Sequence, residues 1–443
     1  MNLYKTKERP PLSILWIYAM GQLGWSLASY MVGSLLTYFY MPPVEAGAKA
    51  IFPNFLPQIT IVGLTLLGII ASSGRVLDAF IDPFVANLSD KSKNRFGKRR
   101  LFMGIASVPL ALFSFLVFFP LNEGETTINA LWLSVTIFIF FVSFALYVIP
   151  YTALISELGH VHEDRLKIST IISVAWAIGF LIGNTAPALQ GLFQKSGDSS
   201  TWAFQKTVGI FALISLFFLL IPVFFLDEKR YAQQGEPHEN FIKSLSSVFK
   251  NKNFRYFSVS YLLYWLSLTF IQSGIIYYVT VLFGMDKGYA SLFGVIGFFL
   301  SFLFYPFMGK FEKKYGKKQM IVYGFITFCL IFLVVILPMP ALFRFSLVSV
   351  LSAFPLAVFG ILPNTIVADI AYQNEIETGK NSAGMFYGVT AFMMKVGVTF
   401  ANLFFPSLLI LGKSVENPFG VQMSVVAALI FCMAGFWVFR KYE

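Results

Sequence analysis

Charged side chains are scarce in this sequence. They make up 12% of the 443 residues, against about 25% in an ordinary soluble domain. Hydrophobic residues make up 57%, and the mean hydropathy is +0.72. Apolar runs long enough to cross a bilayer recur along the chain, without the short alternating segments of an outer-membrane barrel. The composition predicts an all-α polytopic membrane protein.

Cysteine and histidine are also rare. The two cysteines, Cys329 and Cys432, both fall in apolar runs, which indicates packing residues rather than a disulfide framework or a zinc site. All three histidines lie outside the predicted spans, and the spans contain no nucleophile–base set or group of metal ligands. We therefore expect no enzyme activity and no cofactor.

The cations that are present lie mainly on one side of the predicted topology. A net charge of +11 does not indicate nucleic acid here, because membrane proteins gather Lys and Arg in cytoplasmic loops. We predict twelve spans, at 13–40, 56–88, 101–120, 130–156, 167–192, 203–226, 254–283, 289–311, 319–338, 342–370, 382–411 and 419–439. The loops of one side carry only Lys49, Lys195, Lys206, Lys287, Arg344 and Lys413.

The loops of the opposite side carry the basic clusters. These are the N-terminal segment, 91–100, 227–253, 310–318 and the pair 440–441. The asymmetry predicts a multi-pass protein with both termini in the cytoplasm, and we take a bacterial plasma membrane as its location. The N-terminal segment is basic and short, with no clear cleavage site, so we expect the first span to be retained.

The chain repeats one loop pattern. An acid followed by a glycine and two cations comes after span 2 and again after span 8, and the segment 227–253 is the longest polar stretch. Two six-helix bundles, 1–226 and 254–443, with a cytoplasmic linker at 227–253, are the plan of an alternating-access transporter. We predict gating roles for Asp90, Arg95, Gly97, Lys98, Arg99, Glu312, Gly316 and Lys317.

Two aspartates lie in the second predicted span. A carboxylate inside a membrane costs roughly 2.5–3.5 kcal/mol on insertion scales, so one that is kept there usually has a function. Asp78 and Asp82 are one helical turn apart, Arg75 lies one turn earlier, and Pro83 leaves the Ala79 carbonyl without its helical donor. This arrangement predicts a cation site. A buried ion-pair cluster is the alternative, although buried pairs seldom add stability.

The loop at 310–318 resembles the signature loop of the major facilitator superfamily. The segments 74–83 and 95–98 look like the second-helix motif of the glycoside–pentoside–hexuronide:cation symporters, the melibiose-permease-like group, and 149–151 and 368–397 are similar to that family's fourth, tenth and eleventh helices. The resemblance implies the major facilitator fold, with Asp78 and Asp82 binding the coupling cation and Lys395 close to them. Snorkelling to an interface is the alternative for Lys395.

Departures from the family pattern concern the substrate and the ion. Ser26 and Val148 stand where sugar-transporting members have acids, and Ile81 and Ala145 stand where sodium-using members have an amide and a threonine. The same pattern includes lysophospholipid symporters. We therefore expect symport of a small organic solute, such as a glycoside or sugar, coupled to Na⁺ or H⁺. The alternatives are symport of a lysophospholipid or another amphiphile, and a non-transporting receptor or scaffold.

Further polar or amphipathic groups within the spans are candidates for contact with the substrate. Packing or interface anchoring is the alternative for each of them. They are Gln22, Ser26, Tyr30, Tyr151, Trp176, Asn184, Tyr264, Gln272 and Asn364. Arg75 and Lys395 are expected to balance the charge of the two aspartates. We expect a monomer whose only partners are the lipid bilayer and a small or amphiphilic solute.

Overall fold

The computed structural model describes residues 8–44, 50–92, 94, 96–233, 248–378 and 383–443. Twelve helical paths follow the chain through these ranges. They are α1 (Leu12–Tyr30, a π-helical turn at Met31–Leu35, and Leu36–Tyr40), α2 (Leu66–Lys91), α3 (Lys98–Leu116), α4 (Thr127–Leu158), α5 (His162–Asn184 and Ala186–Lys195), α6 (Ser200–Phe225), α7 (Lys252–Tyr277 and a π-helical turn at Tyr278–Leu282), α8 (Gly288–Tyr315), α9 (Lys317–Ile336), α10 (Ala341–Thr378), α11 (Ala383–Leu409) and α12 (Phe419–Phe439).

Ten of these helices, all except α1 and α2, are long and apolar enough to cross a membrane, counted over the described residues. The prediction of an all-α polytopic membrane protein is confirmed. Helices α1 and α2 occupy the places of the other two predicted spans. Within one span length α2 carries three charged residues, Arg75, Asp78 and Asp82, which is why composition alone does not identify it as a span.

Two predicted spans differ from the helices that form. The span predicted at 56–88 begins as a two-stranded antiparallel hairpin, β1 (Thr60–Ile61) and β2 (Leu64–Thr65). Its turn residues Val62 and Gly63 have φ of 53° and 78°, the left-handed region that hairpin turns require, so α2 begins only at Leu66. Helix α5 breaks at Thr185 because Pro187, within the first turn of the following segment, has no N–H to continue the helical bonding.

The chain forms two compact units. The first comprises residues 8–36 and 76–233, and the second comprises 37–75 and 248–443. Helix packing repeats within them. In the first unit a Cβ on Gly179 of α5 would lie 2.0 Å from Ser26 Oγ of α1, and in the second a Cβ on Gly397 of α11 would lie 2.4 Å from the Leu262 carbonyl oxygen of α7. The corresponding helices of each half therefore approach through glycine.

Candidate functional site

The two aspartates of α2 lie on one face of an unbroken helix. Asp78 is completely buried, whereas Arg75 and Asp82 are half-buried. Helix α2 runs through all three and includes Pro83, so the two carboxylates are about 6 Å apart along its axis, and the Ala79 carbonyl loses its helical donor. The predicted local arrangement is present. A wholly buried carboxylate in a membrane helix makes this position a candidate functional site, and the cation-binding role of Asp78 and Asp82 stays a prediction.

The lysine predicted to lie near these acids is in the middle of α11. Lys395 is half-buried, and its carbonyl oxygen accepts a hydrogen bond from Thr399 Oγ1 at 2.8 Å. Asp78 and Asp82 belong to the first unit, while Arg75 and Lys395 belong to the second. The charge-balancing roles of Arg75 and Lys395 stay predictions.

The atoms that Asp78, Asp82 and the Ala79 carbonyl could offer as ligands to a cation are oxygens. No group of three or more His, Cys, Asp or Glu side chains that could hold a metal ion occurs in the described part of the chain. Hard cations prefer carboxylate, carbonyl and water oxygens. A cation bound by Asp78 and Asp82 would therefore take its remaining ligands from carbonyls such as that of Ala79, from hydroxyls or from water.

Three candidate substrate residues lie where α1 meets α4 and α5. Gln22 and Ser26 are buried, and Ser26 Oγ donates to the Leu23 carbonyl oxygen at 3.0 Å. Tyr151 donates from its hydroxyl to the Tyr18 carbonyl oxygen at 3.1 Å, and the two rings stack with centroids 4.3 Å apart. Tyr151 joins α4 to α1 through its hydrogen bond, whereas Ser26 bonds within α1 and packs against Gly179 of α5. Their contact with substrate stays a prediction.

Three further candidates form one connected row on α1 and α5. The Tyr30 hydroxyl donates to Asn184 Oδ1 at 3.1 Å, and Asn184 Nδ2 donates to the Phe180 carbonyl oxygen at 2.8 Å. The Trp176 ring stacks on the Phe180 ring at 4.2 Å. The row combines flat aromatic faces with fixed polar groups, and its contact with substrate stays a prediction.

The candidates of the second unit are more dispersed. Tyr264 is buried and stacks on Phe359 at 3.8 Å between ring centroids. Gln272 is half-buried on α7, and Asn364 is exposed on α10, where its carbonyl oxygen accepts a hydrogen bond from Tyr387 Oη at 3.0 Å. The structure does not bring these three into one hydrogen-bonded group, so their contact with substrate stays a prediction.

The loop between α2 and α3 leads into a partly buried charge network, the first-unit cluster. It consists of Ser89, Asp90, Lys98, Arg99, Glu157 and Glu228. Arg99 donates from Nε and Nη2 to Glu157 Oε1 at 3.0 and 2.8 Å and also contacts Ser89 and Asp90. Lys98 Nζ lies 3.1 Å from the same Glu157 oxygen. Arg99 and Glu157 are both buried, so the carboxylate and the guanidinium compensate each other's lost hydration.

Glu228 caps the beginning of α3. Its carboxylate accepts hydrogen bonds from the backbone N–H groups of Lys98, Arg99 and Arg100 at 2.9–3.1 Å. These amides have no helical partner, and the positive end of the helix dipole favours an anion there. Gly97 precedes them with φ +109°, and a Cβ there would lie 2.3 Å from Glu228 Oε2. Gly97 is required both by its backbone and by the cap.

The loop between α8 and α9 builds the second-unit cluster, which consists of Glu312, Lys317 and Asp369. Lys317 Nζ lies 2.5 Å from Asp369 Oδ2 and 3.6 Å from Glu312 Oε1. Gly316, with φ +82°, ends α8 and begins α9. In the first unit Lys98, which follows Gly97 at the start of α3, contacts Glu157 of α4. In the second unit Lys317, which follows Gly316 at the start of α9, contacts Asp369 of α10. The pairing of acid and cation that the repeated loop predicts is present in both units.

Sequence reasoning did not identify Glu228. It lies in the predicted linker, where the structure has a short helix at Glu228–Tyr231, and it reaches the start of α3 across 128–130 residues of chain. Neighbouring linker backbone is held as well, because the Gln233 N–H donates to the Glu157 carbonyl oxygen at 2.8 Å. No spacing rule joins these residues. Arg95, another predicted gating residue, lies outside the described residues.

Together the long apolar helices, the two acids of α2 and the repeated charged loops are the features of a membrane transporter. The family model for MFS/sugar transport proteins matches residues 17–438. The chain belongs to this family of the major facilitator superfamily, whose members are transporters rather than enzymes. It is an integral, multi-pass membrane protein.

Curated relatives are distant but cover much of the chain. An uncharacterized symporter of Bacillus subtilis, YnaJ, is 22% identical over 87% of this chain and 80% of its own length. The raffinose carrier protein of Pediococcus pentosaceus is 21% identical over 87% of this chain, which matches 60% of the carrier's length. A sodium-dependent lysophosphatidylcholine symporter of Xenopus tropicalis is 23% identical over 71% of this chain and 66% of its own.

Solved structures support the fold. The nucleoside transporter NupG superimposes with a TM-score of 0.64 at 12% identity, covering 98% of this chain and all of that one. A D-xylose–proton symporter gives the same TM-score at 14% identity, covering 95% and 96% of the two chains. At such low identity the likeness concerns the fold alone, and it confirms the major facilitator fold.

Proposed function

We propose that the protein is a symporter that carries a small organic solute, such as a glycoside or another sugar, together with Na⁺ or H⁺ by alternating access. The observation that carries this proposal is the wholly buried carboxylate of Asp78, one turn from Asp82 on a helix with a free carbonyl at Ala79. The names of the relatives support symport as the mode of transport.

Binding of the cation is the proposed coupling step. Two carboxylates one helical turn apart repel each other, so a cation or a proton between Asp78 and Asp82 is favoured. Arg75 and Lys395 supply the balancing positive charge. We propose that Lys395 pairs with the acids when the cation is absent and is displaced when it binds, so that occupancy of the site changes the link between α2 and α11.

The identity of the ion is nearly balanced between sodium and protons. Ile81 and Ala145 cannot supply the side-chain oxygens that an amide and a threonine would provide, which weakens a sodium site built from side chains. The lysophosphatidylcholine relative is named as sodium-dependent, and backbone carbonyl oxygens are suitable ligands for a hard cation. A transport assay must therefore compare a Na⁺ gradient with an H⁺ gradient.

A second candidate substrate is a lysophospholipid or a similar amphiphile. Ser26 and Val148 remove two acids that would hold sugar hydroxyls, and one relative transports lysophosphatidylcholine by name. The row of Tyr30, Asn184, Phe180 and Trp176 suits either substrate, because small-molecule sites in general combine aromatic faces with a few placed polar groups. A thermal-shift screen of glycosides and lysolipids, with Na⁺ concentration and pH varied, separates the two.

We propose that the two charged clusters clamp the cytoplasmic ends of the helices, in a monomer with both termini cytoplasmic in a bacterial plasma membrane. The asymmetry of the loop cations supports this orientation. Single cysteines introduced at Lys49 and Lys98 in a cysteine-free background test it with an impermeant maleimide. Labelling of both from the same side would show that the topology is wrong.

The mechanism is tested by uptake into proteoliposomes under an imposed Na⁺ or H⁺ gradient. Asp78→Asn and Asp82→Asn should abolish uphill accumulation while leaving downhill exchange measurable. Asp198→Asn is the matched control, because it removes an acid that pairs with Lys206 at 2.7 Å, outside α2. Gradient-driven accumulation that survives both α2 substitutions would refute the coupling mechanism. Absence of flux for every solute would instead favour a receptor or scaffold.

A further inference from the structure

Two thiols meet between α9 and α12. Cys329 Sγ and Cys432 Sγ lie 3.3 Å apart although 103 residues separate them in the chain. Cys432 Sγ also lies 3.6 Å from the Phe325 carbonyl oxygen. The helices are in close contact here, because a Cβ on Gly435 would lie 2.8 Å from the Phe325 ring. The sequence has no other cysteine, so this pair holds all the thiol chemistry of the chain.

The pair is reached through lipid. Cys432 is buried and Cys329 is half-buried. On the same stretch of α9, Ile326, Leu330 and Leu333 are exposed, and exposed apolar residues of a membrane-spanning helix face the acyl chains. A reagent that reaches Cys329 without unfolding the protein must therefore be soluble in the bilayer.

The geometry allows a disulfide. The sulfur atoms of a disulfide are about 2.05 Å apart, so the observed 3.3 Å must shorten by roughly 1.3 Å. Rotation of the two cysteine side chains within their staggered wells moves each sulfur by such an amount. The Cys432 sulfur already lies against the α9 backbone, 3.6 Å from the Phe325 carbonyl oxygen.

We propose that Cys329 and Cys432 form an intramembrane dithiol site, which a lipid-soluble two-electron acceptor of the quinone class oxidises to a disulfide between α9 and α12. Two S–H bonds break and one S–S bond forms. The two electrons and two protons pass to the quinone, which leaves as the quinol. Both cysteines lie in the second unit, so the cross-link restrains that unit internally. It also closes a large loop in the unfolded chain and so lowers the conformational entropy of the unfolded state.

Counting free thiols in the whole protein tests the proposal. Protein in proteoliposomes is treated with decylubiquinone or diamide, denatured without reductant and reacted with maleimide-polyethylene glycol. The reduced protein should gain two polymer additions and the oxidised protein none, with dithiothreitol restoring both. Cys329→Ser and Cys432→Ser should each show one addition before and after oxidant. Oxidation should raise the Tm of the unaltered protein by about 5 °C and leave the Tm of both variants unchanged.

Retention of one or two additions after both oxidants would overturn the proposal. So would conversion of the protein to a disulfide-linked dimer on a non-reducing gel, because the cross-link would then join different molecules. Either result would mean that the two thiols only pack against each other.

Discussion

The two charged clusters use the same loop pattern at very different depths. In the first unit, the side chains of Arg99 and Glu157 are 5% and 1% exposed. In the second unit, the side chains of Lys317 and Asp369 are 26% and 54% exposed. Arg99 bonds to three side chains, and Glu228 caps the helix that carries it, whereas Lys317 contacts two acids that water also reaches.

The difference in depth separates a fixed joint from a contact that can open. Removing one partner of a buried ion pair costs about 3–5 kcal/mol, while an exposed pair contributes about 0.2–1 kcal/mol. Only the exposed pair can therefore open repeatedly during a transport cycle at a small cost in free energy. We therefore assign the reversible gating step to the second-unit cluster, and a constant structural role to the first. The following substitutions test this assignment.

The largest difference in stability between the two clusters is expected when their central cations, Arg99 and Lys317, are replaced. Arg99→Gln leaves Glu157 and Asp90 without their guanidinium, and should lower the free energy of unfolding by about 3–5 kcal/mol. Lys317→Gln should lower it by less than about 1 kcal/mol. Thermal unfolding of the two variants in detergent, side by side with the unaltered protein, measures both. Equal losses would show that depth does not distinguish the clusters.

The two loop glycines give a matched pair with a smaller effect. Both have positive φ with ψ near 150°, a region essentially confined to glycine, so alanine should cost about 1–3 kcal/mol at either position. Gly316→Ala meets nothing within 4 Å, whereas a Cβ at Gly97 would lie 2.3 Å from Glu228 Oε2. Gly97→Ala should therefore displace the cap and cost about 1–2 kcal/mol more, the value of a lost helix cap.

A second background isolates the cap. When Glu228→Ala is already present, Gly97→Ala should cost no more than Gly316→Ala, because the clashing carboxylate is gone. The same unfolding measurement applies to the double variant. If the excess cost of Gly97→Ala persists without Glu228, strain in the backbone and not the cap explains it.

The sequence predicts the helices better than it predicts their joints. Hydrophobic runs of span length give the helical paths, since burial in lipid leaves a chain few alternatives to a helix. The hairpin at Thr60–Thr65 and the break at Thr185 were missed, because a span-length window averages over a local turn. The π-helical turns in α1 and α7 left no signal either, since apolar residues suit both kinds of helix.

The candidate site also contains residues that can be recognised in the sequence and one that cannot. Asp78 and Asp82 are visible in the sequence because a charge in an apolar run is conspicuous, and their spacing fixes a common helix face. Glu157 could be suspected as a charge at a helix end. Glu228 could not be found, because it caps a helix more than a hundred residues away, and only tertiary packing brings the two together.

Another partly buried cation lies in the loop between α11 and α12. Lys413 is half-buried, and this burial lowers its pKa from 10.5 to about 8. Between pH 8 and 10.5 the unfolded chain therefore binds more protons than the folded protein, so stability should rise with pH in this window. After allowance for partial exposure, we expect a gain of about 1 kcal/mol.

Comparison of Tm between pH 7.5 and pH 10 measures this gain. Lys413→Met keeps the apolar stem of the side chain and removes the titration, so its stability should depend less on pH. Lys441→Met, at an exposed position, is the control and should behave like the unaltered protein. A pH dependence that is unchanged in Lys413→Met would assign the effect to other groups.

The smallest effect on stability should accompany a large effect on transport. In a double-mutant cycle of Lys317→Ala and Asp369→Ala, the coupling energy should be only about 0.2–1 kcal/mol and should fall with added salt. If this pair opens and closes in each cycle, Lys317→Asp should nevertheless slow uptake strongly by placing three acids together, while binding of the solute in a thermal-shift assay changes little. Lys317→Asp combined with Asp369→Lys restores opposite charges and should recover much of the rate. A reversible gate should recover transport without a measurable gain in stability. If the swap fails to restore uptake, the gating role belongs to the first-unit cluster. Asp90→Lys is the corresponding test there.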